Sequence, residues 1–129
     1  MPLHFSTDSP EDVAKELNSN PTKPAYLIVY ASAVDGRMWC GDCRDAEPFV
    51  NAKFGDSGET ATVVYAGSKP EWKSLDNAWR KEPFLVKALP TIIKVTTDGK
   101  WEQLVEEDVY DQRKLDAFVG EGRGPKGVL

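Results

Sequence analysis

Histidine and cysteine are scarce in this chain. Its 129 residues contain one histidine, His4, and two cysteines, Cys40 and Cys43. A structural zinc site takes about four ligands, so these three residues do not make one and no metal is expected. A structural disulfide has little to offer either, because a Cys40–Cys43 bridge closes too short a loop to constrain the unfolded chain. Positive charge is also in deficit. Lys and Arg number 16 against 21 Asp and Glu, for a net charge of −5. A field of that sign repels nucleic acid and anionic membrane surfaces, and neither partner is expected. Long apolar runs are missing as well. The longest nearly apolar stretch, Ala25 to Val34, is too short to span a bilayer and reads as a core strand. Met1 to Asp12 lacks the basic and apolar stretches of a secretory signal. The expected compartment is therefore the cytosol, where thiols stay reduced unless they cycle for a purpose.

What is present is the composition of one ordinary soluble domain: 40% hydrophobic and 29% charged residues, with no internal repeat and no linker. Ser9-Pro10-Glu11-Asp12 reads as a helix start, with Ser9 as cap, Pro10 at the first helical position and acids after it. Val13, Ala14 and Leu17 give that helix its apolar face. Ala25–Tyr30 is a run of β-formers suited to a strand buried on both faces. Ser32 to Met38 reads as a loop with a turn at Asp35-Gly36, and a helix follows from Cys40, with Pro48 inside it as a kink. Ala61–Tyr65 is a second buried strand. The span Lys69 to Glu82 is expected to hold a helix with Trp72, Leu75 and Trp79 on one face. Thr91 to Thr96 is a third strand. Asp98-Gly99 turns the chain into a fourth, Trp101 to Val105. A last helix covers Asp111 to Val119, and residues 120–129 are glycine-rich and basic and read as a flexible tail. Strands alternating with helices and ending in a hairpin imply an α/β fold, with a mixed sheet of four to five strands flanked by helices on both faces.

The stretch that carries chemistry is Trp39-Cys40-Gly41-Asp42-Cys43. Two thiols three positions apart, at a helix start that follows a buried strand, make a redox pair. The nucleophile has to be a thiolate, and a helix N-terminus directs N–H groups and positive dipole at Cys40. Cys43 lies one turn further on, close enough to attack a mixed disulfide formed on Cys40. Asp42 acts in two directions. Its charge suits the helix start, yet beside Cys40 it disfavours the thiolate. Trp39 shields one side of the pair or packs into the core.

With these residues in hand, the chain resembles the thioredoxin superfamily. Trp-Cys-x-x-Cys follows a buried strand, Pro48 matches the kink proline of the active-site helix, and Ala88-Leu89-Pro90-Thr91 matches the cis-proline loop. Within the superfamily it is similar to the small cytosolic Clot-type, thioredoxin domain-containing protein 17-like, proteins. Three features carry that. Asp42 replaces the proline that ordinary thioredoxins place before the second cysteine. Ser32 to Met38 lengthens the loop before Trp39, and Gly67 to Trp72 with Trp79-Arg80-Lys81 looks like that group's insertion. The chain departs from the group at Gly41, where proline is usual. Glycine there loosens the helix start.

The resemblance implies a thioredoxin-like domain over residues 1–119, acting as a thiol–disulfide oxidoreductase. Cys40 would be the nucleophile and Cys43 the resolving thiol, with Trp39, Gly41 and Asp42 in support. Leu89 and Pro90 would dock the substrate backbone. It implies no cofactor beyond the Cys40–Cys43 disulfide itself, with electrons arriving from NADPH through thioredoxin reductase. It also implies a monomer that reduces small or exposed disulfides such as cystine and disulfide peptides. Ordinary thioredoxins bury an aspartate beneath the dithiol. Val29 or Tyr30 falls at that place here, and no carboxylate occurs from Ala25 to Val34, which leaves Asp42 as the nearest substitute. A general protein-disulfide thioredoxin, favoured by Gly41, and a redox-switched binding module remain as alternative readings. A glutaredoxin fits less well, because its usual Cys-Pro-Tyr-Cys and Thr-Val-Pro are absent.

Overall fold

A computed structural model describes residues 3–120. Along the chain come β1 (Leu3–Phe5), α1 (Pro10–Ser19), β2 (Ala25–Tyr30), β3 (Ala33–Val34), β4 (Arg37–Met38), α2 (Gly41–Ser57), β5 (Ala61–Tyr65), α3 (Lys69–Lys73), β6 (Thr91–Val95), β7 (Trp101–Val105) and α4 (Gln112–Val119). Short 3-10 turns lie at Ala78–Arg80 and Glu106–Tyr110. Five strands form one mixed sheet in the order β1-β5-β2-β6-β7. β2 runs parallel to β5 and antiparallel to β6. All six residues of β2 are buried, as a central strand covered on both faces requires.

Side chains alternate across the strands, and their partners show what covers each face. Tyr26 meets the ring of Phe54 on α2, edge to face at 5.4 Å, and its hydroxyl donates to the Val119 carbonyl of α4 at 3.1 Å. The opposite face is met by α1 and the stretch before β6. Trp101 donates from its indole N–H to Asn18 and packs on Phe84 at 5.9 Å. α1 begins as its residues dictate, with the Ser9 hydroxyl accepting the Asp12 N–H at 3.2 Å. Val13 and Leu17 are its buried residues.

Three expectations change. The loop after β2 is a small hairpin in which β3 pairs with β4, and its turn residues Asp35 and Gly36 both take positive φ. The span Lys69 to Glu82 is not one helix. It breaks after Lys73, and Leu75 points into solvent at 82% exposure while Trp79 is buried. The break is held by side chains. Asn77 donates to the Ala66 and Glu71 carbonyls and caps the Trp79 N–H, and the Arg80 guanidinium donates to the Trp72 and Lys73 carbonyls. These bonds outweigh a helical spacing of aromatics. Lastly, Leu3–Phe5, unassigned from sequence, is an edge strand parallel to β5, with His4 opposite Thr62. The tail expected over residues 120–129 lies outside the described residues apart from Gly120.

Candidate active site

α2 starts immediately after Cys40, which is its N-cap residue in extended conformation. The hairpin β3–β4 delivers Trp39 and Cys40 to that point. The Trp39 N–H donates to the Ser32 carbonyl at 3.3 Å, and its indole N–H donates to the Gly67 carbonyl at 2.9 Å. Ser32 and Gly67 clasp each other as well. The Ser32 N–H meets the Gly67 carbonyl at 3.1 Å, and the Gly67 N–H meets the Ser32 hydroxyl at 2.9 Å. Gly67 has φ +111, and a Cβ built there would stand 2.8 Å from the Cβ of Glu71. Only glycine fits that clasp. Trp39 is partly buried and rests against the core at the same time.

The two thiols differ. Both cysteines are free; Cys40 is half-buried and Cys43 is 0% exposed. The Cys40 Sγ lies 3.6 Å from the Leu89 carbonyl oxygen. The Cys43 Sγ accepts the Ala31 N–H, just past the end of β2, at 3.4 Å. The Cys40 thiol is lowered from 9.0 to about 6. A hydrogen bond with the Cys43 side chain is the main cause, and the Cys43 and Asp42 backbone N–H groups add to it. Burial and the Asp42 charge oppose it and are outweighed. Cys43 moves the other way. Its thiol is pushed up, first by that same bond with Cys40 and then by burial. One sulfur is thus suited to be a thiolate near neutral pH and the other to keep its proton.

Across from Cys40, the Leu89–Pro90 peptide bond is cis. Its loop is tied at both ends. The Thr91 hydroxyl donates to the Ala88 carbonyl at 2.7 Å, and the Pro90 carbonyl accepts the Glu106 N–H at 2.7 Å. Leu89 and Pro90 are both buried, yet the Leu89 carbonyl still reaches the cysteine.

Gly41 is the first residue of α2, and a Cβ there would meet only the Arg44 side chain at 3.7 Å. Its neighbour Arg44 donates to the Met38 carbonyl at 2.5 Å and so straps the hairpin to the helix. Asp42 is half-buried and turned toward the last 3-10 turn, where its carboxylate accepts the Tyr110 hydroxyl at 2.8 Å. That bond to a carboxylate pushes the Tyr110 hydroxyl up to about 12. The Asp42 carboxylate is thus engaged by Tyr110 while its charge still acts on both cysteines.

All the residues singled out in the sequence, Trp39 to Cys43 with Leu89 and Pro90, come together at the start of α2. Sequence reasoning missed Ala31, Arg44 and Tyr110, and it named Gly67 and Thr91 without the bonds they make. Ala31 acts through its backbone, and nothing in the sequence pairs residue 110 with residue 42. Thr91 and Gly67 had local signals, a hydroxyl next to the loop proline and a glycine before the Ser68 helix cap. Among the described residues, no three His, Cys, Asp or Glu side chains cluster as metal ligands would.

Residues 6–121 match the family model for the thioredoxin domain of thioredoxin domain-containing protein 17-like proteins. A thioredoxin domain-containing protein of Schizosaccharomyces pombe is 35% identical over 117 residues, spanning 84% of this chain and 94% of that protein. Human thioredoxin domain-containing protein 17 is 34% identical over 110 residues, spanning 84% of this chain and 85% of its own length. The thioredoxin-like protein Clot of Oryza sativa subsp. japonica is 30% identical, covering 75% of each chain. Among solved structures, a Schistosoma mansoni thioredoxin superposes with a TM-score of 0.63 at 17% identity, over 92% of this chain and 98% of that one. Thioredoxin O1 of Arabidopsis thaliana gives 0.60 at 18%, over 92% and 97%. These two share the fold.

Proposed function

The chain belongs to the thioredoxin domain-containing protein 17-like family, and from that premise we propose that it is a cytosolic thiol–disulfide oxidoreductase reducing small or exposed disulfides. The observation that carries the reading is the asymmetry of the pair. A half-exposed Cys40 thiol lowered to about 6 faces solvent beside the Leu89 carbonyl, and a fully buried Cys43 thiol lies behind it.

The Cys40 thiolate attacks one sulfur of the substrate disulfide. A Cys40–substrate bond forms, the substrate bond breaks, and one thiolate leaves. Cys43 then loses its proton and attacks Cys40, forming the Cys40–Cys43 disulfide and releasing the second substrate thiol. The substrate gains two electrons and the cysteine pair loses two. They are returned from NADPH through thioredoxin reductase, the partner this reading requires. The buried Leu89-Pro90 loop would align the substrate backbone opposite Cys40. Small substrates are favoured by the build of the rim. The hairpin and the Gly67 turn, both bonded to Trp39, would narrow the approach.

The test is NADPH consumption with thioredoxin reductase, this protein and cystine. Turnover is expected, and it disappears in Cys40→Ser. Turnover with glutathione and glutathione reductase instead would assign a glutaredoxin-like activity. Silence in both assays would overturn the enzymatic reading and leave the redox-switched binding module.

A further inference from the structure

Resolution requires the Cys43 proton to leave a sulfur with no access to solvent. Asp42 is half-buried with its carboxylate engaged by the Tyr110 hydroxyl, and β2 offers no carboxylate. What β2 does offer at that place is Tyr30. Its side chain is 1% exposed, and its hydroxyl has no hydrogen-bond partner among the described residues. A buried hydroxyl left unpaired is destabilising, so one kept at this place calls for an explanation.

Its surroundings supply one. Tyr30 lies on the same face of β2 as Tyr26, which packs on α2. The next residue, Ala31, holds the Cys43 sulfur through its N–H. Cys43 and Glu47, one turn apart on α2, both lie close enough to act electrostatically on the Tyr30 hydroxyl, as does Tyr65 of β5, whose ring is 6.3 Å away. Burial, Glu47, Cys43 and Tyr65 all hold that hydroxyl in its protonated form. Glu47 and Tyr65 line an open groove beside the hairpin, so their ends reach water.

Building on the dithiol reading, we propose that the Tyr30 hydroxyl relays the Cys43 proton toward Glu47 and solvent, in the place where ordinary thioredoxins bury a carboxylate. In the mixed disulfide, the Cys43 S–H is released from its bond with Cys40, turns to the unpaired Tyr30 oxygen and gives it its proton. The hydroxyl's own proton passes through one water to the Glu47 carboxylate. The freed electron pair on Cys43 forms the bond to Cys40, the Cys40–substrate bond breaks, and the departing thiolate takes a proton from solvent. Tyr30 ends as it began, neutral.

The test is a single turnover of reduced protein with Ellman's reagent, which releases thionitrobenzoate in two phases. The first reports Cys40 attack and the second reports Cys43 resolution. Tyr30→Phe keeps the ring and removes the relay. Its first phase should match wild type. Its second phase should slow by at least about tenfold near neutral pH and recover as pH rises, because hydroxide takes over the proton. Glu47→Gln should slow the same phase and leave the first unchanged. Thermal unfolding of Tyr30→Phe should be unchanged or shifted upward, which separates lost relay from lost fold. A second phase as fast as wild type in Tyr30→Phe at every pH would overturn the relay. An effect in Tyr30→Phe with none in Glu47→Gln would overturn the assigned exit. A single phase in the wild-type protein would instead overturn the dithiol reading on which the relay rests.

Discussion

The central strands and the stretch from Gly67 to Pro90 are held in place by different forces, and each cysteine answers to one of them. β2, β5 and β6 form a largely buried, mainly apolar slab joined by a backbone ladder. The stretch from Gly67 to Pro90 has one five-residue helix and a single 3-10 turn. Individual polar contacts from Ser32, Asn77 and Arg80 hold it. The Cys43 sulfur is bonded to Ala31, where the slab ends, and the Cys40 sulfur meets Leu89, where the irregular stretch ends. Burial free energy is spread over many residues, whereas a clasp depends on single groups. Stability should therefore reside in the slab and reactivity in the junction.

The largest expected effect is in the slab. Ile28 is 0% exposed, and Ile28→Ala should cost about 2–5 kcal/mol in denaturant unfolding. Once folded, the variant should alkylate at Cys40 at the wild-type rate. A slow-alkylating but stable Ile28→Ala would break the division of labour.

The junction is probed by pH. With Cys40 lowered to about 6, its reaction with iodoacetamide should be flat above that pH. Below it the rate should fall by about tenfold per unit as the thiolate is lost. Because the Cys43 side chain is the main cause of the shift, Cys43→Ala should move the midpoint upward.

In the irregular stretch, Gly67→Ala forces a side chain into positive φ and against Glu71. It should cost more than about 1 kcal/mol and loosen the indole bond of Trp39, read as a change in tryptophan fluorescence. The smallest effect is at the helix start. Gly41 is the first residue of α2 and takes no positive φ. Gly41→Pro should raise stability by about 0.4–1 kcal/mol, through a less flexible unfolded chain and a φ suited to the first helical position. A loss of stability there would mean that the glycine is required by the fold.

The same division governs what could be read from the residues. Ala25–Tyr30 and Ala61–Tyr65 were legible because continuous β-forming apolar runs have one good use, a doubly covered strand. The helix starts at Ser9 and Asp111 were legible because capping is local. Trp72, Leu75 and Trp79 misled, since a helical spacing says nothing about Asn77 and Arg80 claiming the backbone carbonyls that a longer helix would need. Leu3–Phe5 was illegible for a different reason. It is three residues long with two exposed, and it is a strand only because β5 presents a free edge.

For the site, sequence located the cysteine pair. Two cysteines at this spacing, after a buried strand and at a helix start, require no distant partner to be recognised. Tertiary structure decided the rest: the Leu89 carbonyl at Cys40, the Ala31 N–H at Cys43, the Gly67 clasp on Trp39, the turning of Asp42 to Tyr110 and the burial of the Tyr30 hydroxyl. Each joins residues separated by up to 68 positions in the chain. Short-range propensity acts over a few residues, and only the closed sheet with its packed helices brings such groups within hydrogen-bond reach.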